Sequence, residues 1–204
     1  MTGNAIRIVL GGLLIAIAVV SSAWAQQPQT VRVRGTIEKL DGNVLTVKSR
    51  DGTDVTVMLT DNVLVVGVVK ASLAEIKEGS YVGSAAMPQA DGSQKAMEVH
   101  IFAESQRGTG EGHRPFSAPN STMTNGTVGQ TVTGVEGHSL TVKYAGGEKR
   151  IVVPPDVPVV RYEIGDKSEL KPGAAITITN AVRKSEGALE AARVNVGRGG
   201  LVPQ

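Results

Sequence analysis

The chain has 204 residues and a formal net charge of +2, and it contains no cysteine. The absence of cysteine excludes disulfide bonds, thiolate metal sites and cysteine nucleophiles. A charge balance this even gives no electrostatic basis for binding nucleic acid or an anionic membrane surface.

Residues 1–25 have the three-part pattern of a cleavable export signal. Arg7 supplies the positive charge, residues 8–20 are apolar, and Ala23-Trp24-Ala25 is a small-x-small cleavage pattern. A membrane-spanning helix needs about 20 apolar residues, which is more than this run provides. We therefore expect cleavage after Ala25 and a periplasmic mature protein without a membrane span.

The mature chain contains an internal repeat at a spacing of about ninety-five residues. Residues 42–48 (GNVLTVK) match residues 137–143 (GHSLTVK), and glycine, valine and aspartate positions then follow in the same order in both copies. Two copies predict a tandem pair of domains and not a solenoid. The predicted boundaries are 31–103 and 126–197, with an interdomain loop at 104–125 and a tail at 198–204.

Each copy has the alternation of apolar and polar residues that is typical of half-buried β-strands. The alternation breaks at residues 71–77, where Ser72 as N-cap and Gly79 as stop predict a short helix between the third and fourth strands. Three strands, a short helix and two strands follow the order of the OB-fold, a small Greek-key barrel. The predicted fold class is therefore all-β, with two tandem OB-like barrels. One continuous β-sandwich built from both copies is the alternative.

Several stretches carry a resemblance to a known family. They are 33–37 (VRGTI), 45–48 (LTVK), 98–102 (EVHIF) and 107–115 (RGTGEGHRP). In these stretches the chain resembles an uncharacterised family of exported bacterial proteins, a domain of unknown function of the OB-like class. The resemblance implies the fold and export but no activity, because the family has none assigned.

The loop at 104–125 holds the predicted ligand-binding residues. Arg107, Glu111, His113, Arg114 and Phe116 lie close together in sequence. They form either a binding loop, in which the arginines hold an anionic group, or a structural loop. In the structural interpretation Phe116 fills an apolar gap and the arginines pair with nearby glutamates, because buried loops need satisfied polar groups.

A metal site is the alternative interpretation, with His113, Glu111 and His100 as its ligands. His100 lies on a strand between Val99 and Ile101, so its side chain faces opposite to theirs. The three histidines of the chain lack the spacing of a recognised metal motif. No hydrolase motif is present either, so we expect neither an enzyme nor a cofactor.

Two further features bear on partners. Arg32 and Arg34 share the outward face of the first strand, which is also ordinary protection for an edge strand. The few aromatic residues can be used in the barrel cores, which argues against a stacking surface for nucleic acid. The predicted function is a non-enzymatic exported binding or accessory protein, whose partner is an unidentified small anion or an envelope protein. The alternative is a periplasmic metal-binding protein associated with metal transport or homeostasis.

Overall fold

The structure, a computed structural model, describes residues 29–134, 137–184 and 187–203. The predicted export signal and its cleavage after Ala25 lie outside these described residues. Among the residues described, no helix is both long enough and apolar enough to cross a membrane.

The described chain is mostly β-strand, which confirms the β-class predicted from the alternation of apolar residues. The strands are β1 (Thr30–Asp41), β2 (Val44–Ser49), β3 (Asp54–Lys70), β4 (Tyr81–Pro88), β5 (Gln94–Ile101), β6 (Gly112–Pro115), β7 (Thr122–Gly134), β8 (Gly137–Tyr144), β9 (Gly147–Val153), β10 (Val159–Ile164), β11 (Ala175–Arg183) and β12 (Leu189–Gly197).

Five of these strands close into a barrel in the order β1, β2, β3, β12, β11 and back to β1. The β3–β12 pairing that closes the barrel is parallel, and the other four pairings are antiparallel. Residues that alternate along each strand fill the interior with aliphatic side chains. The buried residues there include Ile37, Leu45, Val57, Ile176 and Val194.

A second ring of strands runs in the order β5, β4, β7, β8, β9. It is closed by a short parallel pairing, in which Gln94 and Lys95 of β5 lie opposite Ile151 and Val152 of β9. Its interior is also aliphatic. The remaining strand, β10, pairs with the end of β3 and with β5, so it joins the two rings.

The strand pairing departs from the predicted division into 31–103 and 126–197. The first barrel combines β1–β3 with β11 and β12, and the second ring combines β4 and β5 with β7–β9. Each therefore takes three strands from one predicted copy and two from the other. Alternation in a sequence determines which side chains face inward, but not which of two equivalent strand edges a hairpin joins.

The segments predicted as helices are single 3-10 turns and not α-helices. They cover Leu73–Glu75 and Lys167–Glu169. The first has the predicted Ser72 N-cap, whose backbone N–H donates to Glu75 Oε1 at 2.9 Å. The segment is much shorter than the roughly 12–15 residues that an isolated helix needs to be stable in water, and it forms only a single turn. The predicted loop at 104–125 also differs, since it contains β6 and the first residues of β7.

The turns at Leu73–Glu75 and Lys167–Glu169 are linked by a chain of ion pairs across β10, and a third 3-10 turn covers Glu104–Gln106. Glu75 pairs with Arg161, which also bonds Glu163 at 2.8 Å. Glu163 pairs in turn with Arg198, whose second contact is with Glu169 at 2.7 Å. The acidic residue of each of the two linked turns is thereby tied to the strand between the two rings.

Candidate functional site

Arg107, the first of the predicted ligand-binding residues, makes all its contacts with the protein itself. Its guanidinium donates to both carboxylate oxygens of Glu104, at 2.5 and 2.7 Å. It also donates to the Gly79 carbonyl at 2.9 Å and to Thr127 Oγ1 at 3.2 Å. Its carbon Cζ lies 5.7 Å from the centre of the Tyr81 ring. These are the contacts of the structural interpretation, in which the arginine holds the loop on the second ring.

The next three loop residues also contact the protein itself. Glu111 Oε1 accepts from the backbone N–H of Ala145 at 2.9 Å. His113 Nδ1 lies 2.8 Å from Thr124 Oγ1, and burial, with a contribution from Lys149, lowers the pKa of its imidazole. Arg114 donates to the Gly110 carbonyl at 2.6 Å.

Phe116 connects the loop to the first barrel. The guanidinium carbon of Arg32 lies 4.7 Å from the centre of the Phe116 ring. Arg32 also donates to Ser117 Oγ at 2.8 Å. Phe116 is thus stacked by an arginine of β1 and not by Arg107 or Arg114 of its own loop.

His100 lies apart from the loop residues, on β5. It is 4% exposed, and its Nδ1 has no hydrogen-bond partner in the described structure. Burial lowers the pKa of His100 to about 3, helped by Arg193 and Arg114, so the imidazole is neutral at ordinary pH. Its ring stacks on Tyr162 at 4.8 Å and meets the edge of Phe102 at 4.9 Å.

The three predicted metal ligands do not form a metal site in the part of the chain that the structure describes. There, no group of three or more histidine, aspartate and glutamate side chains is placed to hold an ion. Glu111 bonds a backbone amide, His113 bonds a threonine, and His100 stacks on a tyrosine.

A different set of side chains comes together where the two rings meet, and we call it the junction cluster. Every member except Tyr162 stands next to a buried core residue on its strand, so these side chains point away from the cores. Tyr162 lies between Arg161 and Glu163 on β10. The junction cluster consists of Arg32 and Arg34 on β1, Glu98 and His100 on β5, Tyr162 on β10 and Arg193 on β12.

The side chains of the junction cluster contact one another, but some of their polar atoms lack a hydrogen-bond partner. Arg193 Cζ lies 5.5 Å from the centre of the Tyr162 ring. Glu98 Oε1 lies 3.9 Å from Nδ1 of the neutral His100, and no arginine forms a salt bridge with Glu98 among the described residues. The buried Nε of Arg34 has no hydrogen-bond partner there.

The charge of the junction cluster is predominantly positive. The cluster holds three arginines and one carboxyl group, and burial raises the pKa of Glu98 to about 7, against the opposing effect of Arg34 and Arg32. Burial also lowers the pKa of Arg193. Burial with few direct partners is unfavourable for charged groups, so an additional anion here would be stabilising.

Aromatic side chains gather around the junction cluster and not in the cores. The two buried core clusters contain only aliphatic residues. Tyr81 packs against Phe102 at 5.2 Å, and Phe102 meets Tyr162 edge-on at 5.4 Å. Tyr81 and Phe102 are nonetheless buried, so these two aromatic side chains are used in the protein interior, although they pack outside the two aliphatic clusters.

The outward orientation of some junction-cluster residues could be predicted from the sequence. Arg32 and Arg34 share one face of a strand, and His100 alternates with buried neighbours. Arg193 and Tyr162 could not be assigned to the same place, because β12 and β10 reach it only through pairings between the two halves of the chain.

Comparison with protein-family models, with curated proteins and with solved structures finds no match for this chain. The resemblance to an exported OB-like family therefore stays a prediction from the sequence.

Proposed function

We propose that the protein is a non-enzymatic, exported binding protein that holds a small anion at the junction cluster. The observation that carries the proposal is the unpaired Nε of Arg34, which is buried beside Arg32 and Glu98. Buried charged donors in proteins are normally paired, and a planar guanidinium fits the two oxygens of a carboxylate or phosphate. An anion would supply the hydrogen-bond acceptor that the chain itself does not provide for the Arg34 Nε–H.

The surroundings of Arg32 favour an anion that also has an apolar part. Residues 115–122 line an open recess that includes Phe116 and two prolines, and Arg32 contacts two of its residues, Phe116 and Ser117. The recess is preformed, because the Phe116 N–H donates to the Ser121 carbonyl at 2.8 Å. Ser121 Oγ also donates to the Ala118 carbonyl at 2.6 Å. A preformed recess reduces the ordering cost of binding.

We therefore propose that the ligand is a small carboxylate or phosphate with an aromatic or aliphatic group. Its anionic end would lie at Arg32 and Arg34, and its apolar end would pack on Phe116. The metal alternative gains no support from the contacts of Glu111, His113 and His100.

The test is calorimetric titration of the mature chain with phenyl phosphate and with inorganic phosphate. Phenyl phosphate should bind more tightly, because it also fills the recess. Arg34→Gln should weaken its binding at least tenfold, which corresponds to about 1.4 kcal/mol. Lys39→Gln is the matched control, since it removes one positive charge from the same strand at an exposed position.

Two results would contradict the proposal. One is that neither anion binds to the unmodified mature chain. The other is that Arg34→Gln and Lys39→Gln weaken the binding equally, because the effect would then come from net charge and not from a site.

A further inference from the structure

Matched irregularities appear in the two halves of the chain. The β1–β2 pairing has a bulge between Ile37 and Lys39, with Val47 opposite Ile37. The β7–β8 pairing has a bulge between Val128 and Gln130, and Val142 lies opposite Val128. Val47 and Val142 are the same position of the sequence repeat. A bulge is a specific local feature, so its recurrence indicates one unit used twice.

The last two strands of each half show the same correspondence. Gly83 on β4 lies opposite His100 on β5, and Thr177 on β11 lies opposite Asn195 on β12. These four residues are matched pairs of the repeat, whose spacing is 94 residues from Gly83 to Thr177, after a one-residue deletion in the second copy, and 95 residues from His100 to Asn195. Yet β4 joins β7 of the second half, while β11 joins β1 of the first half. The two halves therefore exchange their last two strands reciprocally.

We infer that the chain is a fusion of two copies of a unit that assembles by strand exchange, and that its exchange surface fits a second copy of this chain. A half without its counterpart would leave edges of β1 and β3 unpaired, and exposed strand edges readily pair with another chain. Reciprocal exchange between identical units closes both rings with twofold symmetry. Whether exchange occurs within one molecule or between two then depends on the connector, residues 102–121.

The strand geometry sets a minimum length for that connector. β5 ends with Ile101 opposite Val82, and β7 begins with Thr122 opposite Ala86. The connector must cross β4 and return along it by four residues, because β4 lies between β5 and β7. Strand spacing and rise put this span at about 16 Å. An extended residue covers at most about 3.5 Å, so about five residues are the minimum.

Deletion of residues 103–120 leaves only Phe102 and Ser121 as the connector. That connector is too short to close the second ring within one molecule, although all ring strands remain. We expect this variant to be a folded dimer, in which the first half of each molecule pairs with the second half of the other. Sedimentation would show twice the monomer mass, and circular dichroism would show the strand content of the unmodified protein.

A second variant keeps the test decisive if the deletion prevents folding. A protease site inserted between Ala118 and Pro119 is cleaved in the folded, full-length protein. We expect both fragments to elute together and to separate only in denaturant, because each ring contains strands of both.

A folded monomer from the deletion variant would overturn the inference. If the deletion variant does not fold, the cleaved protein decides. Fragments that remain together support the inference, and fragments that separate under native conditions overturn it.

Discussion

The His100 imidazole lies against the backbone of Gly83, where no side chain fits. A Cβ on Gly83 would meet Nε2 of His100 at 2.0 Å. Because His100 is also stacked on Tyr162, the ring cannot move aside without disturbing the junction cluster.

Gly83→Ala should therefore lower the free energy of unfolding by about 1–3 kcal/mol, the usual cost of overpacking a buried site. Gly146→Ala is the control, because its Cβ would meet the nearest atom, in Tyr144, at an ordinary 3.4 Å. Chemical denaturation of the two variants measures the difference. Equal stabilities would show that His100 is not held against β4.

The two titratable groups of β5 should give opposite pH dependences of stability. The pKa of Glu98 is raised from 4.5 to about 7, so the folded state holds its proton longer and stability falls as the pH rises through this window. The pKa of His100 is lowered from 6.5 to about 3, so its contribution to stability rises with pH over that window. Between the two unfolded-state values the effects largely cancel.

Single substitutions should separate these two contributions. Glu98→Gln leaves the histidine effect, so stability should increase with pH more steeply than in the unmodified chain. His100→Asn, which introduces the residue found at the matched position Asn195, leaves the glutamate effect. The stability of this variant should therefore fall as the pH rises, opposite to that of Glu98→Gln. Thermal unfolding from pH 4 to pH 8 measures both. Identical pH profiles for the two variants would contradict the assigned burial of these groups.

The ion pairs across β10 should contribute a stability that depends on salt. Glu163 contacts both Arg161 and Arg198 and is about one-third exposed, so Glu163→Gln should cost about 0.5–1 kcal/mol at low salt. In about 1 M salt the cost should fall, because the screening length shrinks to about 3 Å. Asp41→Asn, which breaks an isolated exposed pair with Lys39, should cost less at either salt concentration. A salt-independent cost for Glu163→Gln would contradict the role of the network.

The strand exchange can be tested with cysteine pairs, because the chain has no cysteine of its own. Thr36 on β1 lies opposite Ala175 on β11, so cysteines at these two positions should form a disulfide on mild oxidation. The position that matches Ala175 in the first half is Tyr81, which lies opposite Thr127. A cysteine pair at Thr36 and Tyr81 should therefore stay reduced. Electrophoresis without reductant distinguishes the two pairs, and a disulfide only in the second pair would indicate contiguous domains.

Local features of this fold could be predicted from sequence, whereas long-range pairing could not. Alternation located the β-strands, and Ser72 with Gly79 located a turn after β3, although as a 3-10 turn and not as a helix. The repeat, however, gives β1 and β7 equivalent edges, so it cannot determine which of them β4 joins.

The same limit applies to the junction cluster. The loop residues Arg107 to Phe116 were predicted to bind a ligand because their charged residues lie close together in sequence. In the structure Arg107 is engaged by Glu104, and among the described residues the buried arginine nitrogen without a hydrogen-bond partner is Nε of Arg34. Exchange of strands between the halves brings Arg193 and Tyr162 to Glu98 and His100. This proximity cannot be predicted from any local sequence pattern.

The most direct test of the proposed anion site is the Arg34 Nε–H resonance, followed by nuclear magnetic resonance during titration with phenyl phosphate. Arg34→Lys assigns the signal by its loss, and the Nε–H of Arg107, already bonded to Glu104, is the internal control. We predict a saturable shift of the Arg34 signal with little change at Arg107. An Arg34 signal that stays in place at saturating ligand, or that shifts in parallel with Arg107 without saturating, would contradict the account.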